Sequence, residues 1–217
     1  MLDFASARAA MVAAQIRPAN VTQKALLDAM AAIPRERFAP KSQAAFAYAD
    51  MDVTLGEGRW MLRPRVFARL VEALEVQASD LALVIACGRG YGVAVLTRLA
   101  DMVVGLEPEP SFVDKAGAVL AEIGIVNAAV LHGDLRAGAP DAGPFDVVLV
   151  EGAVAKPAAA WFDQLKDGGR LAVVEKTGAL GQAMIYEKSA GAVGGRAVFD
   201  AAAPVLAGFE PETAFAL

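Results

Sequence analysis

The 217 residues include one cysteine, Cys87, and one histidine, His132. A single thiol excludes a disulfide within the chain and points to a reducing compartment. One histidine and one cysteine form no cluster with metal-ligand spacing, so no metal is expected. No apolar run approaches the roughly 20 residues of a membrane helix. The opening stretch MLDFASARAAMVAAQIRP lacks the basic start of a signal peptide and is interrupted by Asp3 and Arg8. No membrane association is expected, and the expected location is cytoplasmic. The basic residues number 20 against 25 acidic ones, and this mild acidity, a net charge of -5, argues against a broad nucleic-acid surface, which would need clustered lysine and arginine. Repeats and low-complexity linkers are also missing. What is present is a globular composition, 56% hydrophobic, long enough for one domain with a sizeable core.

The first third reads as helix. Ala5 to Ile16 is alanine-rich and stops before Pro18. Thr22 is placed to cap a helix carrying Ala25, Leu26, Met30 and Ile33 at helical spacing. Tyr48 to Pro64 reads as irregular, and a helix with Val66, Leu70 and Leu74 on one face follows. From Leu81 the pattern alternates. Short β-branched runs at 81–87, 102–107, 128–132, 145–151 and 170–175 are separated by helix patterns at 92–99, 110–123 and 155–165. That alternation predicts an α/β fold with a doubly wound, mostly parallel sheet. AMIYEKS and RAVFDAAAP are joined by a connection too short for a crossover, so they are expected to close the sheet as an antiparallel edge pair. The expected division is a single domain, 1–217, with a helical N-terminal part over 1–78 and a Rossmann-like sheet over 79–217.

In such a sheet a ligand lies outside the carboxyl ends of the strands. The turn Ala86, Cys87, Gly88, Arg89, Gly90, Tyr91 follows the first run, and its glycines allow backbone N–H groups to approach a ligand. Glu107 ends the next run, 17 residues past Gly90, where an acid can accept from both ribose hydroxyls. Asp134 and Leu135, after His132, stand one strand further on, in place to face a base. Glu151, within VEGAV, closes the set. Each has a plainer reading: a tight turn, a solvated strand end, a turn cap, a packed strand-end histidine, a core cysteine. Their order favours nucleoside binding over coincidence.

Taken together these stretches resemble the protein-L-isoaspartate O-methyltransferase family over nearly the whole chain. AMAAIPRERFAP is similar to that family's first helix end, and LGEGRWMLRPRVFARLVEAL to its glycine-rich loop and following helix. CGRGYGVAVLTRLA is similar to its cofactor turn, GLEPEP to its ribose acid, and HGD to its adenine loop. FDVVLVEGAV with QLKDGGRLAVV is similar to its fourth and fifth strands. The resemblance implies a methyltransferase-type sheet with S-adenosylmethionine as cofactor. It also implies methylation of the α-carboxylate of isoaspartyl-containing proteins, after which the ester collapses to a succinimide.

Two places lack what the family has. Its cofactor strand ends in an acid, one residue and a glycine, where this chain has Val84 and Ala86. Its substrate loop carries hydroxyl residues before the proline, where this chain has Trp60, Met61, Leu62 and Arg63. Leu62 and Arg63 therefore stand at the family's substrate-anchoring positions, with Arg63 or Arg59 available to recruit a carboxylate. Glu151 replaces a threonine and brings an acid to the acceptor side. Two readings follow: a carboxyl O-methyltransferase with weakened cofactor binding acting on isoaspartyl proteins or another carboxylate acceptor, or a non-catalytic relative that binds a partner or a nucleoside. The oligomeric state is not legible.

Overall fold

The computed structural model describes residues 3–211. Helix α1, Phe4–Met11, starts at Asp3, whose carboxylate accepts from the Ser6 N–H at 3.1 Å. It continues through a π-helical turn, Val12–Ile16, and a 3-10 turn ended by Asn20 in the left-handed region. Helix α2, Lys24–Ala32, follows. Thr22 does not cap it. Its N–H and hydroxyl, with the N–H of Gln23, donate instead to Glu72.

The segment that reads as irregular holds a small hairpin. Strand β1, Val53–Gly56, pairs antiparallel with β2, Arg59–Met61, in a two-stranded sheet of its own. The turn between them has positive φ at Gly56, Glu57 and Gly58, which the two glycines adopt without strain on either side of Glu57. Helix α3, Pro64–Leu74, then buries Val66, Phe67, Leu70, Val71 and Leu74. That spacing is a helix's one-sided apolar stripe.

The alternating part builds the main sheet. Strand β3, Leu81–Ile85, is followed by α4, Tyr91–Leu96. Next come β4, Met102–Glu107; α5, Pro110–Glu122; β5, Ala128–His132; β6, Phe145–Val154; α6, Ala159–Asp163; and β7, Leu165–Glu175. The last two strands are β8, Gly181–Ser189, and β9, Ala192–Ala201. The order in space is β5-β4-β3-β6-β7-β8-β9. The first five strands run parallel, and β8 and β9 are antiparallel to their neighbours. The order reverses beside β3, the first strand of the main sheet along the chain, so the crevice at its carboxyl end is where an open sheet takes a ligand.

Side chains alternate across the sheet. Val84, Val103, Val147, Leu149 and Ala172 face a core shared with α2, α3 and α4; Ile85, Val104, Val148, Val150 and Leu171 face a second one with Trp161 of α6 and Phe209. Two elements differ in extent from the sequence pattern. Strand β6 runs on to Val154, paired with Glu175, so α6 is shorter than the run 155–165 suggests. The β8–β9 connection is a two-residue turn, Ala190-Gly191, both with positive φ, and most of AGAVGG is strand. Among the described residues, no helix is long and apolar enough to cross a membrane.

Candidate functional site

The turn after β3 is held by the protein's own acceptors. The N–H groups of Ala86 and Cys87 both donate to the Leu106 carbonyl, at 3.0 and 3.2 Å, and the Gly90 N–H donates to the Cys87 carbonyl at 2.8 Å. Gly88 and Gly90 have φ of +54° and +91°, which glycine adopts freely. Ala86, at +64°, does not have that freedom. The Cys87 side chain is buried beneath the turn. Burial, with Glu107 and Glu151 nearby, pushes its thiol well above the ordinary range, so it is no nucleophile.

Glu107 ends β4 with no exposure to solvent. Arg59, from β2, grips it from both nitrogens of one guanidinium edge: Nε to Oε1 at 3.1 Å and Nη2 to Oε2 at 3.0 Å. The Gly88 N–H donates to Oε2 at 2.8 Å, and the Glu109 N–H approaches Oε1 at 3.4 Å. The acid read as a ribose acceptor is thus already part of a buried, bidentate ion pair.

The same hairpin covers the glycine turn. A Cβ on Gly88 would come within 2.6 Å of Leu55 Cδ1, so this β1 side chain occupies the space that the bare glycine leaves. Behind Leu55 is a gap of about 150 Å³, lined by Phe38, Leu55, Met61, Cys87, Arg89, Tyr91 and Glu151, and too narrow to admit a water molecule.

Two further buried groups meet that gap. Tyr91 packs its ring against Phe38 and Phe67, at 5.7 and 5.2 Å between centroids, and under the Arg35 guanidinium, 4.5 Å away. Its hydroxyl and Arg35 Nη1 are buried, with no hydrogen-bond partner among the described residues. Glu151 lies on the same face of the sheet. Burial pushes its carboxyl up to about 8, with Arg35 and Arg59 pulling down and Glu107 pushing up. At neutral pH this group is mostly a neutral acid, unlike the added negative charge that its sequence position suggests.

The remaining sequence candidates lie apart. Leu62 is buried, and its carbonyl accepts from Arg35 Nη2. Arg63 turns to Asp52: Nη2 to Oδ2 at 2.6 Å, with the Arg63 N–H on Oδ1 at 2.8 Å. Asp134 is exposed and accepts from the Arg136 N–H at 3.0 Å, the geometry of an Asx turn. Leu135 packs into the second core, and its carbonyl accepts from the Trp161 indole. His132 Nε2 is 3.1 Å from the Pro108 carbonyl oxygen. A larger groove of about 810 Å³, lined by Arg136, Lys156, Phe162 and Phe209, lies beyond the end of β6 and shares none of these candidates.

Sequence reading did not find Arg35, nor that Arg59 would recruit Glu107. Arg35 stands in IPRERF, where it is flanked by Glu36 and Arg37, so nothing local set it apart from a solvated charge cluster. Arg59 had no local signal, since its partner is 48 residues away.

As arranged, the site is closed to S-adenosylmethionine by the chain's own side chains. The donor set is right in kind, with a glycine turn beside a strand-end acid, but both oxygens of that acid are engaged and Leu55 lies on the turn.

Residues 6–201 match the family described as Protein-L-isoaspartate(D-aspartate) O-methyltransferase. A protein-L-isoaspartate O-methyltransferase of Roseiflexus sp. (strain RS-1) is 36% identical over 172 residues, 79% of this chain and 78% of the relative. That of Koribacter versatilis is 35% identical over 191 residues, 88% of this chain and 86% of the relative. Among solved structures, a protein-L-isoaspartate O-methyltransferase matches with a TM-score of 0.80 at 24% identity, covering 94% of this chain and 67% of that one. A β-aspartate methyltransferase from Plasmodium falciparum, in complex with S-adenosyl-L-homocysteine, matches with the same TM-score at 16% identity, covering 95% and 99%.

Proposed function

The chain belongs to the protein-L-isoaspartate(D-aspartate) O-methyltransferase family, and from that membership we propose that it is an S-adenosylmethionine-dependent carboxyl O-methyltransferase with a weakened hold on its cofactor and an altered acceptor. The observation that carries this reading is the placement of Glu107. It ends the strand beside the switch point, directly against the Gly88 N–H, where a nucleoside's ribose diol would meet an acid. Methyl transfer to a carboxylate asks a protein for alignment more than for acid–base chemistry. The fold supplies the crevice for that alignment; the residues around it are changed on both sides.

On the cofactor side, Val84 is fully buried and apolar where the resemblance calls for an acid. Losing a charge-assisted hydrogen bond costs about 1.5–3 kcal/mol, or roughly one to two orders of magnitude in affinity. On the acceptor side, Leu62 offers no hydroxyl and Arg63 is taken by Asp52. The acceptor class is a carboxylate, isoaspartyl or other.

A second reading, a non-catalytic relative that binds a partner, is favoured by one observation: Arg59 engages both oxygens of Glu107. Calorimetric titration with S-adenosylmethionine and S-adenosylhomocysteine separates the two. Saturable binding of both nucleosides supports the methyltransferase; no heat with either, at millimolar ligand and with the protein folded, leaves the second reading.

A further inference from the structure

Glu107 has no acceptor capacity to spare. A carboxylate offers about four lone-pair directions. Here Oε1 receives Arg59 Nε and the longer Glu109 N–H, and Oε2 receives Arg59 Nη2 and the Gly88 N–H. A ribose diol needs one acceptor on each oxygen. The backbone donors are fixed by the turn and by the start of α5, so Arg59 is the partner that can leave.

Arg59 and Leu55 belong to opposite strands of one hairpin. The hairpin pairs with itself and not with the main sheet. It lays Leu55 on Gly88 and Arg59 on Glu107, and so covers both halves of a nucleoside site at once. Its tip, Gly56-Glu57-Gly58, is exposed at all three positions and adjoins Arg59 directly.

We propose that Arg59 is a competitor built into the chain: it occupies Glu107 when no nucleoside is bound, and a nucleoside enters by displacing it as the β1–β2 hairpin lifts from Gly88. This rests on the nucleoside-binding reading above. It adds that affinity is set by the fraction of molecules in which the Arg59–Glu107 pair is open. The displaced guanidinium exchanges a buried carboxylate for water, which it tolerates because it is always charged and readily solvated.

The hairpin carries its own reporter. Trp60 lies between Arg59 and Met61 with 38% of its surface exposed, whereas the other tryptophan, Trp161, is fully buried in the second core. The experiment titrates S-adenosylhomocysteine into the parent, Arg59→Gln and Leu55→Ala proteins, following heat and tryptophan emission, with Trp60→Phe to assign the signal. Arg59→Gln is expected to bind about tenfold tighter than the parent, because the closed state no longer competes. Leu55→Ala is expected to bind tighter by a smaller factor, and the Trp60 emission of the parent to shift on saturation. Circular dichroism checks folding; if Arg59→Gln does not fold, Arg59→Lys replaces it, since a single ammonium cannot span both oxygens. Equal or weaker binding by folded Arg59 variants, or saturation of the parent with no change at Trp60, overturns the proposal while leaving the nucleoside site in place. Absence of binding in the parent and every variant overturns both the proposal and the reading beneath it.

Discussion

The carboxyl group of Glu151 lies directly over the bare Cα of Gly92: a Cβ built on that glycine would fall 1.9 Å from Oε1. The contact joins the end of β6 to the first turn of α4, on the face of the sheet that holds Arg35, Tyr91 and the closed gap. It depends on a glycine on one side and on a tolerably neutral acid on the other.

That acid makes stability depend on pH. The folded value is about 8 against an ordinary 4.5, with burial as the main cause. Across that window the folded chain keeps a proton that the unfolded chain has lost. The contribution of Glu151 to stability therefore falls as pH rises between these values and levels off above them. Glu151→Gln keeps the shape without the ionisation. Its melting temperature, relative to the parent, is expected to rise from pH 5 to pH 8 and to stay flat beyond. A difference independent of pH would mean that Arg35 and Arg59 hold Glu151 ionised throughout.

Glu107→Ala tests the buried pair by stability alone. As a solvated strand end, Glu107 would be replaceable at little cost. With its carboxylate gone, Arg59 is left as an unpaired buried cation and the Gly88 N–H loses its acceptor. Breaking such a pair from one side costs about 3–5 kcal/mol. Urea unfolding of the free protein is the measurement, and a loss below about 1 kcal/mol would place the guanidinium in water.

Ala86 holds a φ of +64°, which a side chain rarely adopts. The strain costs about 1–2 kcal/mol. Relief by Ala86→Gly is offset by about 0.8 kcal/mol of lost methyl burial and by about 0.5–1 kcal/mol of added chain entropy. The expected net change in the urea midpoint is close to zero, whereas Ala86→Val, β-branched at positive φ, is expected to destabilise clearly. A gain of several kcal/mol from the glycine would show that the turn is more strained than its two bonds to Leu106 suggest.

The sheet was legible because its signals are local. The apolar runs of β3, β4, β6 and β7, separated by helix patterns, specify a mostly parallel sheet, and the short β8–β9 link specifies an antiparallel edge pair. The β1–β2 hairpin was not legible, since its strands are three and four residues long and alternate around a glycine turn that reads as loop. Glu107, Gly88 and Glu151 do converge at one end of the sheet, but their states depend on contacts far apart in sequence. Arg59 pairs with Glu107 from 48 residues away, and burial deep in the core pushes the Glu151 carboxyl up, neither of which a local pattern encodes.

Methylation of a standard isoaspartyl peptide is expected to be slow or absent. Leu62 is buried, presents no hydroxyl, and has its carbonyl already engaged by Arg35, so it offers an acceptor no hydrogen bond. Arg63, the residue best suited to draw in a carboxylate, is held by Asp52 through both its side chain and its backbone N–H. A misplacement of the reacting oxygen by about 1 Å can cost on the order of a hundredfold in rate, and two lost anchors compound. The assay is transfer of labelled methyl from S-adenosylmethionine to an isoaspartyl peptide, with the aspartyl peptide as control. Asp52→Ala is the informative variant, because it releases Arg63 without touching the Arg59–Glu107 pair. A rise in isoaspartyl-selective turnover in that variant would identify Arg63 as a latent anchor. Robust, selective turnover in the parent would sink the expectation and show that the acceptor is held by groups other than Leu62 and Arg63.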